Sequence, residues 1–186
     1  MTRFVRTRSA YIAQTTLYGY LKTRMGTSFR RHFEDEAFSK AIRASAVHLY
    51  VACLSDLTIF AVATAARDGG LGAEDCAALA RRCFRDALSE GIGEGDWILL
   101  PDDAWQRFEE RAAATAWPNA AVGETAFAQS ADEIIRVAPV IEEFKVLDER
   151  IVRNSIRFRW RDVRERLRKR LNGAAVAEDW RRIADG

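Results

Sequence analysis

Apolar residues along the chain recur every three to five positions and almost never every second one, which is the signature of helices. Tyr11, Ile12, Thr15, Tyr18 and Leu21 mark one face of a helix predicted from Ser9, its N-cap, to Met25, with Gly26 as the stop. Phe29, Phe33, Phe38, Ile42, Ala46, Leu49, Cys53, Leu57 and Phe60 carry the period over about residues 28–67, up to Asp68-Gly69-Gly70. A rod of that length would span roughly 60 Å at 1.5 Å per residue, so a break is expected near Glu34–Glu36. From Ala44 onward the apolar residues run nearly all round the helix, as a central buried element requires.

Gly72-Ala73-Glu74-Asp75 opens a third helix, with acids in its first turn and Arg81, Arg82 and Arg85 later, in the order the helix dipole favours. Gly91 to Asp96 reads as a loop. Pro101-Asp102-Asp103 starts a fourth helix that runs to about Ala116 and is stopped by Trp117-Pro118-Asn119. Residues 119–129 read as loop, and Ser130-Ala131-Asp132-Glu133 as a helix start. Beyond Pro139, the stripe Val140, Phe144, Leu147, Ile151 and Ser155, followed by Val163, Leu167 and Leu171, predicts a second long helix over about 140–171, closed by Asn172-Gly173. A short helix, about Ala177 to Ala184, carries Trp180. The alternating stretch Arg157 to Arg161 is too short for a strand. The expected fold is all-α: a single-domain bundle of six or seven helices over residues 9–186, preceded by a basic arm at 1–8.

Composition adds that a core can form unaided. Of 186 residues 48% are hydrophobic, with five Trp and ten Phe, so neither metal nor disulfide is needed for folding. Cys53, Cys76 and Cys83 include no CxxC pair and read as small buried hydrophobes in a reducing compartment, which points to the cytoplasm. The basic first ten residues lack the apolar run, about 7–15 residues long, of a secretory leader. The most apolar window, Ala44 to Ala66, contains His48, Ser55 and Asp56, and is read as a core helix rather than a membrane span.

Charge sharpens the picture more than composition does. A net charge of +2 conceals segregation: residues 1–33 hold seven basic residues and no acid, residues 34–152 are net −11, and residues 153–171 are net +7. Within the basic C-terminal segment, Arg157, Arg161, Arg164 and Arg168 follow one another at three- and four-residue steps beside an apolar side that includes Trp160 and Val163. With Arg153 they form a candidate surface for an anionic partner, and Arg3, Arg6 and Arg8 form a second. The competing expectation is that the stripe packs on the chain's own acidic middle.

The chemistry of known enzyme classes finds little purchase. No GxSxG elbow occurs, and the histidines are limited to His32 and His48. Cys53 and His48, five positions apart on one helix, point away from each other. His32 with Glu36 could supply half a metal site, but no Cys/His pairs or Glu-x-x-His motifs complete one, so neither metal nor cofactor is expected. Gly91-Ile92-Gly93-Glu94-Gly95 lacks the full dinucleotide pattern and carries acids that repel phosphate. The segments Arg6 to Gly26 and Asn154 to Arg164 resemble a family of small alphaproteobacterial proteins, some of which carry an esterase label. The resemblance implies a bacterial cytoplasmic protein and brings no site residue. The expected function is therefore a non-enzymatic adaptor, assembly factor or regulator that engages an anionic protein or membrane surface through a basic amphipathic helix. Nucleic-acid binding through the same patches is the first alternative, and an enzyme with a site assembled from scattered Asp, Glu and Arg is the second. The location is cytoplasmic, with peripheral membrane attachment and homo-oligomerisation left open.

Overall fold

The computed structural model describes residues 1–184 apart from Glu124, and apart from the side chains of Phe29 and Arg30. The predicted apolar position Phe29 and the domain end at Asp185 and Gly186 thus lie outside the described residues. Among the described residues every regular element is helical: α1 (Thr2–Met25), α2 (Glu36–Gly69), α3 (Ala73–Gly91), α4 (Ala104–Ala114), α5 (Trp117–Ala120), α6 (Ala128–Val137), α7 (Glu142–Arg170) and α8 (Gly173–Ala184). Tight 3₁₀ turns at Gly26–Glu34, Glu94–Leu99 and Thr125–Phe127 connect them. The bundle and both long helices stand as expected.

The predicted N-terminal arm does not exist. Residues 2–8 are the first turns of α1, with Val5 fully buried and Ser9 inside the helix, its hydroxyl donating to the Cys53 carbonyl at 3.2 Å. Val5, Ser9, Ile12 and Thr16 make one buried stripe, and its polar members hide it from a search for apolar periodicity. The expected break in the long second helix falls at Asp35, which is extended (φ −82°, ψ 116°) and caps α2 by accepting from the Phe38 amide at 3.1 Å. The fourth helix ends at Ala114, ahead of Trp117-Pro118-Asn119 as expected, and Pro118 then sits in the first turn of α5, where its missing N–H costs nothing. Of the loop expected at Gly91 to Asp96, the last three residues open a 3₁₀ turn that spans Glu94–Leu99.

The core sits around α2, which packs against α1, α3, α5, α6 and α8. Every residue from Leu49 to Ala66 is buried. By length and composition α2 could cross a membrane, and its most apolar window is wholly covered by the other helices. Its end is set by Gly70, which takes the left-handed conformation (φ 65°) and returns its N–H to the Ala66 carbonyl. Just before it the backbones of α2 and α8 touch: a methyl group on Gly69 would meet the Gly173 carbonyl at 2.7 Å, and one on Gly173 the Ala65 carbonyl at 2.8 Å.

Buried polarity concentrates where α2, α4 and α6 meet. Asp56, fully buried, accepts from Arg111 Nη1 at 2.7 Å and from the Ser130 amide at 2.9 Å. Arg111 also reaches Ser55, Gln129 and the Ala126 carbonyl, each at 2.7–2.8 Å. Burial pushes the Asp56 carboxyl above its ordinary range while the arginine and the Ser130 donors pull it back. Cys53, Cys76 and Cys83 are free and buried, and burial raises each thiol, Cys76 and Cys83 to about 11, so all three are poor nucleophiles.

Candidate interaction face on α7

Helix α7 turns Asp148, Val152, Ile156, Trp160, Val163 and Leu167 inward, against α6 on one side and α1 on the other. Trp160, expected beside the partner-binding arginines as a contact residue, is fully buried. Its indole donates to Ser130 Oγ at 2.9 Å and its ring lies 4.8 Å from that of Phe127. Side chains of that size fill the core, because burying an indole gains more than leaving it exposed at a surface.

The basic stripe splits in the same way. Arg164 lies over the Phe127 ring at 5.6 Å, and Arg168 lies over Phe60 at 5.3 Å and donates to the Ala121 carbonyl at 3.0 Å. Their guanidinium groups lie over the aromatic core, Arg164 half-buried and Arg168 exposed. Arg153 pairs with Asp132 of α6 and with Glu149, and Arg161 with Glu165 at 3.4 Å. Arg157 is exposed and makes no salt bridge among the described residues. At the N-terminus Arg6 pairs with Glu90 of α3, Arg8 lies over Phe4 at 5.7 Å, and Arg3 is exposed. The acidic middle therefore neutralises part of each basic patch, through Glu90 and Asp132, and leaves Arg3 and Arg157 facing solvent.

The residues that periodicity assigns to the core are, in the first half of α7, outside it. Phe144 is 40% exposed, Leu147 70% and Ile151 69%, and Phe158, outside the predicted stripe, is 73% exposed. They form one strip along the helix, at intervals of three, four and seven residues, and Arg150, Arg157 and Arg161 run beside it on the outermost face. Arg150, like Arg157, is exposed and without a salt bridge among the described residues. The signal that locates the true core side is the i, i+4 series Asp148, Val152, Ile156, Trp160, which its leading aspartate disguises.

Two other polar clusters complete the search for chemistry. Glu133, on α6, meets His48 Nδ1 at 3.6 Å and Arg136 Nε at 2.9 Å. Burial alone would raise the Glu133 carboxyl, but hydrogen bonds from His48 and Arg136 outweigh it and hold it at about 2. The cavity behind this trio is about 20 Å³, the room of a single water molecule, so no substrate fits there. At the edge of the bundle Asp148 is clasped by Arg24 of α1, whose hydrogen bonds hold its carboxyl below the ordinary range. His32 lies 3.4 Å from Ser28 Oγ and against the Phe38 ring rather than forming a ligand pair with Glu36, and no group of three or more His, Cys, Asp or Glu among the described residues could hold a metal. No family model, curated protein or solved structure matches the chain.

Proposed function

We propose that the protein is a non-enzymatic interaction protein that docks an acidic amphipathic helix of a partner along α7. The observation that carries this reading is the strip Leu147, Ile151 and Phe158, each about two-thirds or more exposed, bordered by the unpaired Arg150 and Arg157. An apolar centre with a rim of guanidinium groups complements a helix that is apolar on one face and acidic at its edges. Arginine at such a rim steers an acidic partner and fixes its register more than it adds raw affinity. Nucleic acid fits this face less well, because phosphates laid along it would meet three large apolar side chains at its centre.

The test compares retention of cell proteins by the wild-type chain and by the triple variant Arg150→Glu, Arg157→Glu, Phe158→Ser. A partner held by the wild type in a salt-sensitive way, and released by the variant with its helical circular dichroism intact, supports the proposal. Equal retention by both chains sinks it. A parallel arm with phosphatidylglycerol vesicles separates the sources of negative charge: binding there, with no protein retained, assigns the face to a bilayer instead.

A further inference from the structure

Between α1 and α7, beside the exposed strip, lies a groove of about 490 Å³, within the ordinary range for a small-molecule site. The two helices run antiparallel along it. Gly19 of α1 stands opposite Arg159 of α7, and Arg24, further along α1, binds Asp148, earlier on α7. The groove therefore extends roughly 16 Å along α7, the eleven steps from Asp148 to Arg159 at about 1.5 Å each. Its middle is apolar, lined by Val152 and Ile151, and its ends are polar in different ways.

At the Asp148 end the charges are balanced, because the carboxylate and the Arg24 guanidinium bond to each other. At the other end they are not. Among the described residues Arg159 has no salt bridge, and its buried Nε has no hydrogen-bond partner. Thr16, one turn before Gly19 and so at the same end, is 4% exposed, and its hydroxyl is likewise without a partner. Tyr20, 8% exposed, sets its hydroxyl toward the Asp148–Arg24 pair. Burial first, and then the Asp148 carboxylate, push that phenol up to about 12, so it stays a neutral donor. Two buried donors without a partner at one end of one groove suit a ligand that brings an acceptor.

The geometry points to a binding site for an aliphatic monocarboxylate, its carboxylate held by Arg159 and Thr16 and its chain laid along Val152 and Ile151 toward Tyr20. One uncompensated guanidinium at one end calls for a single negative charge, and a planar guanidinium suits a carboxylate well. The neutral, apolar remainder calls for an uncharged chain. Gly19 keeps the wall low where it passes Arg159: a methyl group there would first meet the Arg159 guanidinium, at 3.8 Å. The site is independent of partner docking, although Ile151 borders both.

Isothermal titration with octanoate, and with octanol as its uncharged counterpart, tests the assignment on the intact chain. Octanoate should bind saturably at one site and at least tenfold more tightly than octanol, as expected for a charge-assisted pair in a partly dry site. Arg159→Gln should bring octanoate down to the octanol level, and Thr16→Val should weaken it several-fold. Gly19→Leu, at an exposed helix position, should block both ligands while circular dichroism stays unchanged. The triple variant Arg150→Glu, Arg157→Glu, Phe158→Ser should bind octanoate as the wild type does, which separates this site from the partner face. Equal binding of octanoate and octanol, undiminished binding by Arg159→Gln and Gly19→Leu, or no saturable octanoate binding would each overturn the proposal.

Discussion

From Trp160 to Leu167 helix α7 sends its large apolar side chains inward and folds Arg164 and Arg168 back over the aromatic core. From Phe144 to Phe158 the same helix leaves Phe144, Val146, Leu147, Ile151 and Phe158 exposed, with Arg150 and Arg157 making no salt bridge among the described residues. Both halves mix aromatic, aliphatic and arginine residues, so composition cannot account for the contrast. The difference lies in what stands across from each half. Beside the second half stand Phe127, Phe60 and Ser130, which offer ring faces and a hydroxyl. Beside the first half lies α1, with Thr16, Gly19 and Thr23 along a groove that does not close over the strip. An arginine becomes structural when it finds a desolvated ring within about 6 Å, and stays available when it does not.

The sharpest way to break this contrast is Trp160→Ala. Loss of a fully buried indole that also satisfies Ser130 should cost about 3–5 kcal/mol, read as a lowered midpoint in urea unfolding. The corresponding change in the first half, Phe158→Ala, should shift stability by no more than about 0.5 kcal/mol, and an equal loss from both would erase the distinction. A smaller effect is expected at Glu133, on the helix that supports the second half. Its folded pKa of about 2 lies below the 4.5 of the free side chain, so its contribution is fully present above pH 4.5 and is lost as pH falls toward 2. Glu133→Gln should lower stability at neutral pH and flatten that acid limb, whereas an unchanged slope would mean the His48 and Arg136 contacts do not hold it. Smallest should be the contrast between Arg168→Ala and Arg157→Ala. Removing Arg168 should cost on the order of 1 kcal/mol, through its ring contact and carbonyl bond, and removing Arg157 close to nothing.

Much of the architecture was legible because its signals are local. The stop at Gly69-Gly70, the break near Glu34–Glu36 and the apolar surface of α2 follow from residue type at fixed offsets, and the structure places all three where the sequence indicates. The opening turns of α1 were not legible, because three arginines and a buried serine mask Val5. The candidate face was half legible. Arg157 was singled out and remains exposed, but Trp160 belongs to the core, Arg164 and Arg168 lie over its rings, and Phe144, Leu147 and Ile151 were assigned to the wrong side. Two stripes about a quarter-turn apart compete on α7, and which one faces inward depends on α1 and α6, which helical period cannot report. The groove was not legible at all. Thr16 and Tyr20 lie more than a hundred residues from Arg159 in sequence and share no motif with it.

The meeting of Gly69 and Gly173 has a consequence for how the chain is made. Helix α8 covers α2 by backbone contact, and Arg181 donates to the carbonyls of Gly69 and Gly70 at 2.9 and 3.3 Å. During synthesis α2 leaves the ribosome long before α8 exists, with the most apolar surface of the molecule part-covered and its last carbonyls unsealed. Its interval of greatest exposure is therefore fixed by the speed of translation across the acidic middle and α7. Slow codons there would prolong it, and a chaperone that holds apolar helices would find α2 before any other segment.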